Sequence, residues 1–282
     1  SEYGSKYSGG LGTYTAKHCP TAIYSKQSNK TFFVYGGTTK KEVRRLLAMI
    51  GYFDHSTGLV CLPTVVHDKQ TVNDTHDNPS LSIDSKGYIW VFVSGRGRHR
   101  PGYKYRSVAP YSITSFEQIS EEEFTYPQPW WIPNQGFLHL FTKYTQGREL
   151  YGNTSKHGLG WSDDQKLAGM GGHYQISRRM GSRVITAFNY HPGGNVDKRT
   201  NLYFLETSNL GKSWNTIDGQ RVVPPLTVTQ HPALVRNYQS ESRLVYLKDI
   251  TVDAQGNPII LHITSDHHQP GPHPRPREWV IA

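Results

Sequence analysis

The 282-residue chain has no apolar stretch longer than about Ile89–Val93, far short of the roughly 20 residues a membrane-spanning helix needs. Cysteine is nearly absent. Cys19 and Cys61 are the only two, too few for a disulfide framework, so they leave the compartment undecided. Leucine is sparse and charged residues reach only 19%, which argues against a helical bundle. Acidic residues are in the minority, 22 against 31 Lys plus Arg, for a formal net charge of +9. No dense basic run accompanies that excess; the nearest is Arg96, Arg98 and Arg100 around His99, spaced by Gly and Pro. The chain opens on Ser1 without a signal-like segment, so an export signal is read as cleaved or absent.

What the chain has in quantity is turn and aromatic residues: 27 Gly, 17 Pro, and 18 Tyr against 10 Phe. That profile suits many short strands. The aromatics are too many and too evenly spread for a disordered chain.

One layout recurs: a polar or aromatic cluster, a short strand, a glycine turn and a second strand. The clearest copy is His76-Asp77-Asn78-Pro79, then Ser80–Asp84, Ser85-Lys86-Gly87 and Tyr88–Val93. The others pair Gln128–Ile132 with Phe137–Lys143, Gln175–Arg179 with Ser182–Asn189, Val245–Asp253 with Asn257–Thr264, and Thr21–Ser25 with Thr31–Tyr35. Glycines 87, 136 and 181 lie 49 and 45 residues apart, the period of propeller blades. Glu42–Ile50 has the pattern of a short helix but is read as the third strand of the first blade. A second repeat sets Thr154–Trp161 in register with Thr207–Trp214, 53 residues on. Both resemble the Asp-box turn of sialidase-like propellers, with Lys156 and Asn209 in place of the Asp; their role is structural.

The fold expected is therefore an all-β propeller of four-stranded antiparallel blades, about five of them visible in one domain, residues 1–282. The last copy stops at Trp279–Ala282, before an outer strand, so the ring reads as a C-terminally incomplete fragment.

In such a blade, residues before the first strand and after the second converge on one rim. Here these are His18, His76-Asp77-Asn78, Tyr126, His173-Tyr174 and Lys248, then the Arg96–Arg100 loop, Lys143-Tyr144, Asn189-Tyr190-His191 and Asp266-His267-His268. The rim reads as basic, with exposed phenols and no evident carboxylate pair of the kind an ordinary glycosidase needs. Histidine, tyrosine and cations instead suit β-elimination on a uronate-containing polysaccharide. A base takes the C5 proton, an acid protonates O4, and a cation neutralises the carboxylate.

With those residues the chain resembles the BNR-repeat propellers, and within them the seven-bladed ulvan lyases. The likeness rests on His76–Pro79 followed by Asp84–Trp90, on Tyr126-Pro127 followed by Gly136-Phe137-Leu138, and on the degenerate Asp-boxes. It implies that His76 and Tyr126 are catalytic. Those lyases carry a second His where this chain has Arg96, with His99 near enough to substitute, and an Arg where it has Lys143, with Arg148 five residues on. It also implies about two further blades. Asn78, Arg96, Arg98, His99, Lys143, Arg148, His173, Tyr174, Tyr190 and His191 are the candidate substrate-binding residues.

The expected partner is an acidic polysaccharide or oligosaccharide, sulfated or not, with neither nucleic acid nor membrane, and the chain is expected to be a monomer. A polymeric substrate implies an extracellular or periplasmic setting. The chemistry requires no cofactor, and a structural zinc or calcium is left open. His267, His268 and His273 are zinc-capable but, without paired Cys or a standard spacing, read as a Pro-rich surface loop. The rival readings are a sialidase-like hydrolase and a non-catalytic glycan-binding propeller.

Overall fold

The computed structural model describes residues 17–40, 43, 45–269 and 277–282. Among these, 22 strands and three short 3-10 turns form antiparallel sheets. The chain divides into two compact units, residues 1–133 and 134–282.

In the first unit, β1 (Ala22–Ser25), β2 (Lys30–Gly37), β3 (Leu47–Asp54), β4 (Leu59–Val60) and β5 (Thr64–Asp68) make one sheet. Strand β3 settles the ambiguous stretch from Glu42 to Ile50 as strand from Leu47 on; Glu42 and Arg44 lie outside the described residues. The next sheet is β6 (Pro79–Ile83), β7 (Ile89–Val93), β8 (Gly102–Ser107) and β9 (Phe116–Glu122), in that order. Strand β10 (Thr125–Ile132) ends the unit. Along β2 the period of two sends Phe32 and Val34 inward, whereas all five residues of β7 are buried, the pattern of a strand covered on both faces. Phe32, Val34, Ala48, Ile50, Leu81, Val91 and Val93 pack into one cluster between the two sheets. The inner strands are tied by polar bonds as well: Ser80 Oγ donates to the Pro127 carbonyl (2.6 Å), and the Trp131 N–H to Ser82 Oγ (3.2 Å).

The second unit holds β11 (Gly136–Tyr144), β12 (Arg148–Ser155) and β13 (Gln165–Ala168). A further sheet contains β14 (Gln175–Met180), β15 (Arg183–Tyr190), β16 (Thr200–Thr207), β17 (Trp214–Asn215), β18 (Arg221–Val222) and β19 (Leu234–Arg236). The last is β20 (Leu244–Val252), β21 (Pro258–Ser265) and β22 (Glu278–Ile281). Phe188 of β15 and Tyr203 of β16 stack at 5.2 Å. The two Asp-box-like turns sit where the repeat predicts, before β13 and before β17. In the second, Asn209 does the work of the missing Asp: its side-chain oxygen accepts the Ser213 N–H at 3.0 Å. Trp214, 1% exposed, reaches Gln165 of the neighbouring sheet.

Candidate active site

The first unit gathers an acid–base cluster around a single 3-10 turn, Thr75–Asp77, which brings His76 to the start of β6. Asp74 caps that turn, its carboxylate accepting the His76 N–H at 3.0 Å. The same oxygen accepts a very short hydrogen bond from the His76 ring at Nδ1. Sequence reasoning missed Asp74, although an Asp two residues before His76 in Asn73-Asp74-Thr75 is an Asx-turn signal. The other carboxylate oxygen takes Arg96 at 2.8 Å and Arg100 at 2.6 Å. Burial alone would raise the Asp74 pKa. Bonds from the His76 ring and backbone and from Arg100 outweigh it and hold the carboxyl well below the usual range.

Arg100 also reaches Asp77 (2.8 Å), which is fully buried and bonded to Lys69 at 3.0 Å. Burial pushes Asp77 up and Lys69 down, their mutual contact opposing both shifts. The rim thus carries two carboxylates where the sequence reading saw none paired, and both are committed to cations.

Tyr126 opens β10 with a left-handed backbone (φ 55°), a sparsely populated conformation for a bulky residue. Its N–H is held by Ser94 Oγ at 3.2 Å. Its ring centroid lies 5.6 Å from that of His76 and 5.5 Å from that of His18. His18 Nε2 donates to the His76 carbonyl at 3.0 Å. The expectation of exposed phenols is corrected here: Tyr126 is 2% exposed and His76 6%, because the left-handed turn folds the phenol in against the two imidazoles. Burial lowers the local dielectric and strengthens the charges that face this pair.

The remaining sequence-named residues of this unit spread out. Arg98 is exposed and stands 3.8 Å from Glu123, and His99 is exposed on the loop tip. Asn78 is buried and closes the 3-10 turn through its N–H to the Thr75 carbonyl.

In the second unit, Lys143 Nζ bonds Asp164 at 2.8 Å and lies over the Tyr151 ring, so a carboxylate of the chain already faces it. Arg148 stacks over Tyr144 at 5.4 Å. His173 is a correction. It is fully buried, its Nδ1 donates to the Asn189 carbonyl (2.8 Å) and its Nε2 accepts the Met170 N–H (3.2 Å), which leaves no ring nitrogen for a substrate. Burial lowers its pKa to about 4, the Asn189 bond pulling partly back. His191 is likewise fully buried, edge-on to Tyr174 at 4.8 Å. Tyr174 and Tyr190 are half-buried at the ends of β14 and β15. Among the described residues no three His, Cys, Asp or Glu are grouped to hold a metal ion. His267 and His268 are exposed, and His273 lies outside the described residues.

Four-stranded antiparallel blades with a histidine, tyrosine and guanidinium cluster at strand ends define a β-propeller with acid–base equipment. The chain belongs to the BNR repeat-containing family, whose profile matches residues 56–277. It is 25% identical over 226 residues to an ulvan lyase of Nonlabens ulvanivorans, covering 66% of this chain and 47% of that protein. It is 22% identical over 224 residues to the ulvan lyase PL25 of Pseudoalteromonas sp. (strain PLSV), covering 66% of this chain and 46% of that one. The chain spans about half the length of the curated relatives it matches. A PL25 ulvan lyase solved with bound -[GlcA(1-4)Rha3S]- shares the fold with a TM-score of 0.78 and 18% identity, over 97% of this chain and 71% of that one.

Proposed function

We propose that the protein is a polysaccharide lyase that cleaves an acidic, uronate-containing and ulvan-like polysaccharide by β-elimination. The observation that carries this reading is the His76 imidazole clamped by an ionised Asp74 beside the Tyr126 ring. With its Nδ1 turned to Asp74, the ring has Nε2 as the atom through which a general base would take a proton. In the reaction Nε2 takes the C5 proton, the C5–H electron pair becomes the C4–C5 double bond, and the C4–O4 bond breaks. Tyr126 supplies the proton to the leaving O4. Arg96 and Arg100 hold Asp74 ionised and set a positive field where negative charge develops on the uronate.

Hydrolysis fits less well. A glycosidase needs one carboxyl group to donate a proton or attack carbon, and Asp74 and Asp77 are both engaged by cations. Similarity to the ulvan lyases, 22–25% identity over two thirds of the chain, supports the substrate class, and the excess of basic residues supports a polyanionic ligand. A polymer of that size is met outside the cytoplasm, so we place the protein in the extracellular space or periplasm.

The test is incubation with ulvan and with other polyuronates. The expected result is an unsaturated, ultraviolet-absorbing product that disappears in His76→Ala and in Tyr126→Phe. Reducing ends without absorbance would point to hydrolysis, and binding without either product to a lectin-like role. Full activity in Tyr126→Phe would reduce that ring to packing.

A further inference from the structure

A second cluster lies in the other unit and uses none of the residues of the acid–base cluster around His76. Arg199 follows the 3-10 turn Val196–Lys198, and its guanidinium stands over two tyrosine rings, 5.3 Å from the Tyr174 centroid and 4.5 Å from that of Tyr246. The spacing of those rings is built by Asn189, which is buried. Its side-chain oxygen accepts the Tyr174 N–H (2.9 Å) and its amide donates to the Val245 carbonyl (3.0 Å). The Val245 N–H in turn bonds the Arg199 carbonyl at 2.9 Å. One residue thus locks the strands carrying both rings, and the arginine backbone is fixed beside them.

The guanidinium is left with capacity to spare. Its Nε donates to the Val196 carbonyl at 2.7 Å. Among the described residues neither of its terminal nitrogens meets a protein acceptor, and no carboxylate comes within ion-pair distance of Arg199 or Lys248. The Tyr246 hydroxyl is buried without a hydrogen-bond partner. Lys248, two residues on from Tyr246 where β20 bulges between Leu247 and Asp249, is exposed, yet partial desolvation of its ammonium and then Arg199 pull its pKa below the ordinary value. Two like charges held together without a counter-ion are costly unless an anion joins them. A planar fork flanked by aromatic faces is suited to a tetrahedral or planar oxyanion on a sugar ring.

We propose that Arg199, Tyr174, Tyr246 and Lys248 form an anion subsite that takes a sulfate ester or carboxylate of a saccharide. Arg199 binds the oxyanion through its free nitrogens, Lys248 adds the second charge, and the tyrosines restrict the guanidinium to one orientation. The saccharide is taken from the lyase reading above; the anion preference follows from the cluster itself.

Calorimetric titration of a His76→Ala background, which removes turnover, measures binding of three probes: ulvan oligosaccharides, chemically desulfated ulvan and polygalacturonate. Arg199→Gln and Lys248→Gln are each expected to weaken binding by about tenfold or more, the scale of one charged hydrogen bond. Loss of affinity with desulfation assigns the sulfate ester; equal binding of polygalacturonate assigns the carboxylate. Lys248→Gln changes a surface side chain and decides the question if Arg199→Gln fails to fold. Affinity within twofold of the background in both variants, or no binding of any probe by the background, overturns the proposal. The two readings fail separately. Probe binding that depends on Arg199 without product from the unmutated chain retains the subsite and refutes the lyase. Turnover with an unchanged KM in Arg199→Gln retains the lyase and refutes the subsite.

Discussion

In the proposed lyase, Asp74 acts through His76. Its carboxylate touches the imidazole and two guanidinium groups at once, so it fixes the ring's tautomer and its direction together. Asp74→Asn keeps the size and removes the charge. It is expected to lower kcat by about 10²–10⁴, the usual contribution of a positioned proton-transfer group, with a small change in KM. The histidine nitrogen shifts in NMR should show Nδ1 and Nε2 sharing the proton in place of one tautomer; an unchanged tautomer with reduced kcat would remove the positioning role. His173 bears on stability instead. Burial lowers its pKa in the fold to about 4 from the ordinary 6.5. Between those values the unfolded chain binds the extra proton, so the stabilisation is complete above about pH 6.5 and is lost as the pH falls toward 4. A shift of that size is worth about 3 kcal/mol. In urea titrations at pH 7, 5.5 and 4.5, His173→Gln is expected to be less stable at pH 7 by about 1–2 kcal/mol and to lose less on acidification. An equally steep decline would mean that His173 is not the group that titrates.

At the level of elements, backbone crowding fixes the loop that delivers the arginines. A Cβ at Gly95 would overlap the Arg100 carbonyl oxygen, and the Arg96 N–H bonds that same carbonyl at 2.7 Å. Gly95→Ala is therefore expected to cost about 1–3 kcal/mol, seen as a lower Tm, and to cut kcat by pulling Arg96 and Arg100 off Asp74. Gly160→Ala, where a Cβ meets nothing within 4 Å, should leave both unchanged; equal effects of the two would discount the crowding. Most of the strand pairs were legible in the sequence because their turns demand glycine: Gly87, Gly136, Gly181 and Gly256 all have positive φ, from 59° to 119°. His76 and Tyr126 were legible as strand-end residues. Their burial was not, since it depends on a left-handed Tyr126 and on His18, 58 residues from His76. His173 has the same strand-end placement as His76, and only the structure shows its two ring nitrogens taken up by the Asn189 carbonyl and the Met170 N–H. Arg199 and Tyr246 are 47 residues apart, beyond any local pattern.

Across the whole chain, 31 basic against 22 acidic residues leave a net charge of +9, with 14 histidines adding more on acidification. The acids that exist are largely used internally, as at Asp74, Asp77, Glu149 and Asp164, so the excess acts on whatever approaches. A polyanion is drawn by many charges at once, and the attraction is screened as the Debye length contracts from about 10 Å at 0.1 M salt to about 3 Å at 1 M. The His76–Tyr126 pair is buried, and the chemistry proposed for it is much less screened. Salt should therefore separate binding from catalysis. Raising sodium chloride from about 0.05 to 0.5 M is expected to increase KM for ulvan several-fold while kcat stays within twofold. Steady-state rates of unsaturated-product formation across that series check it. A KM that does not move with salt would show that the basic excess is not what engages the polymer, and recognition would then have to rest on uncharged contacts alone.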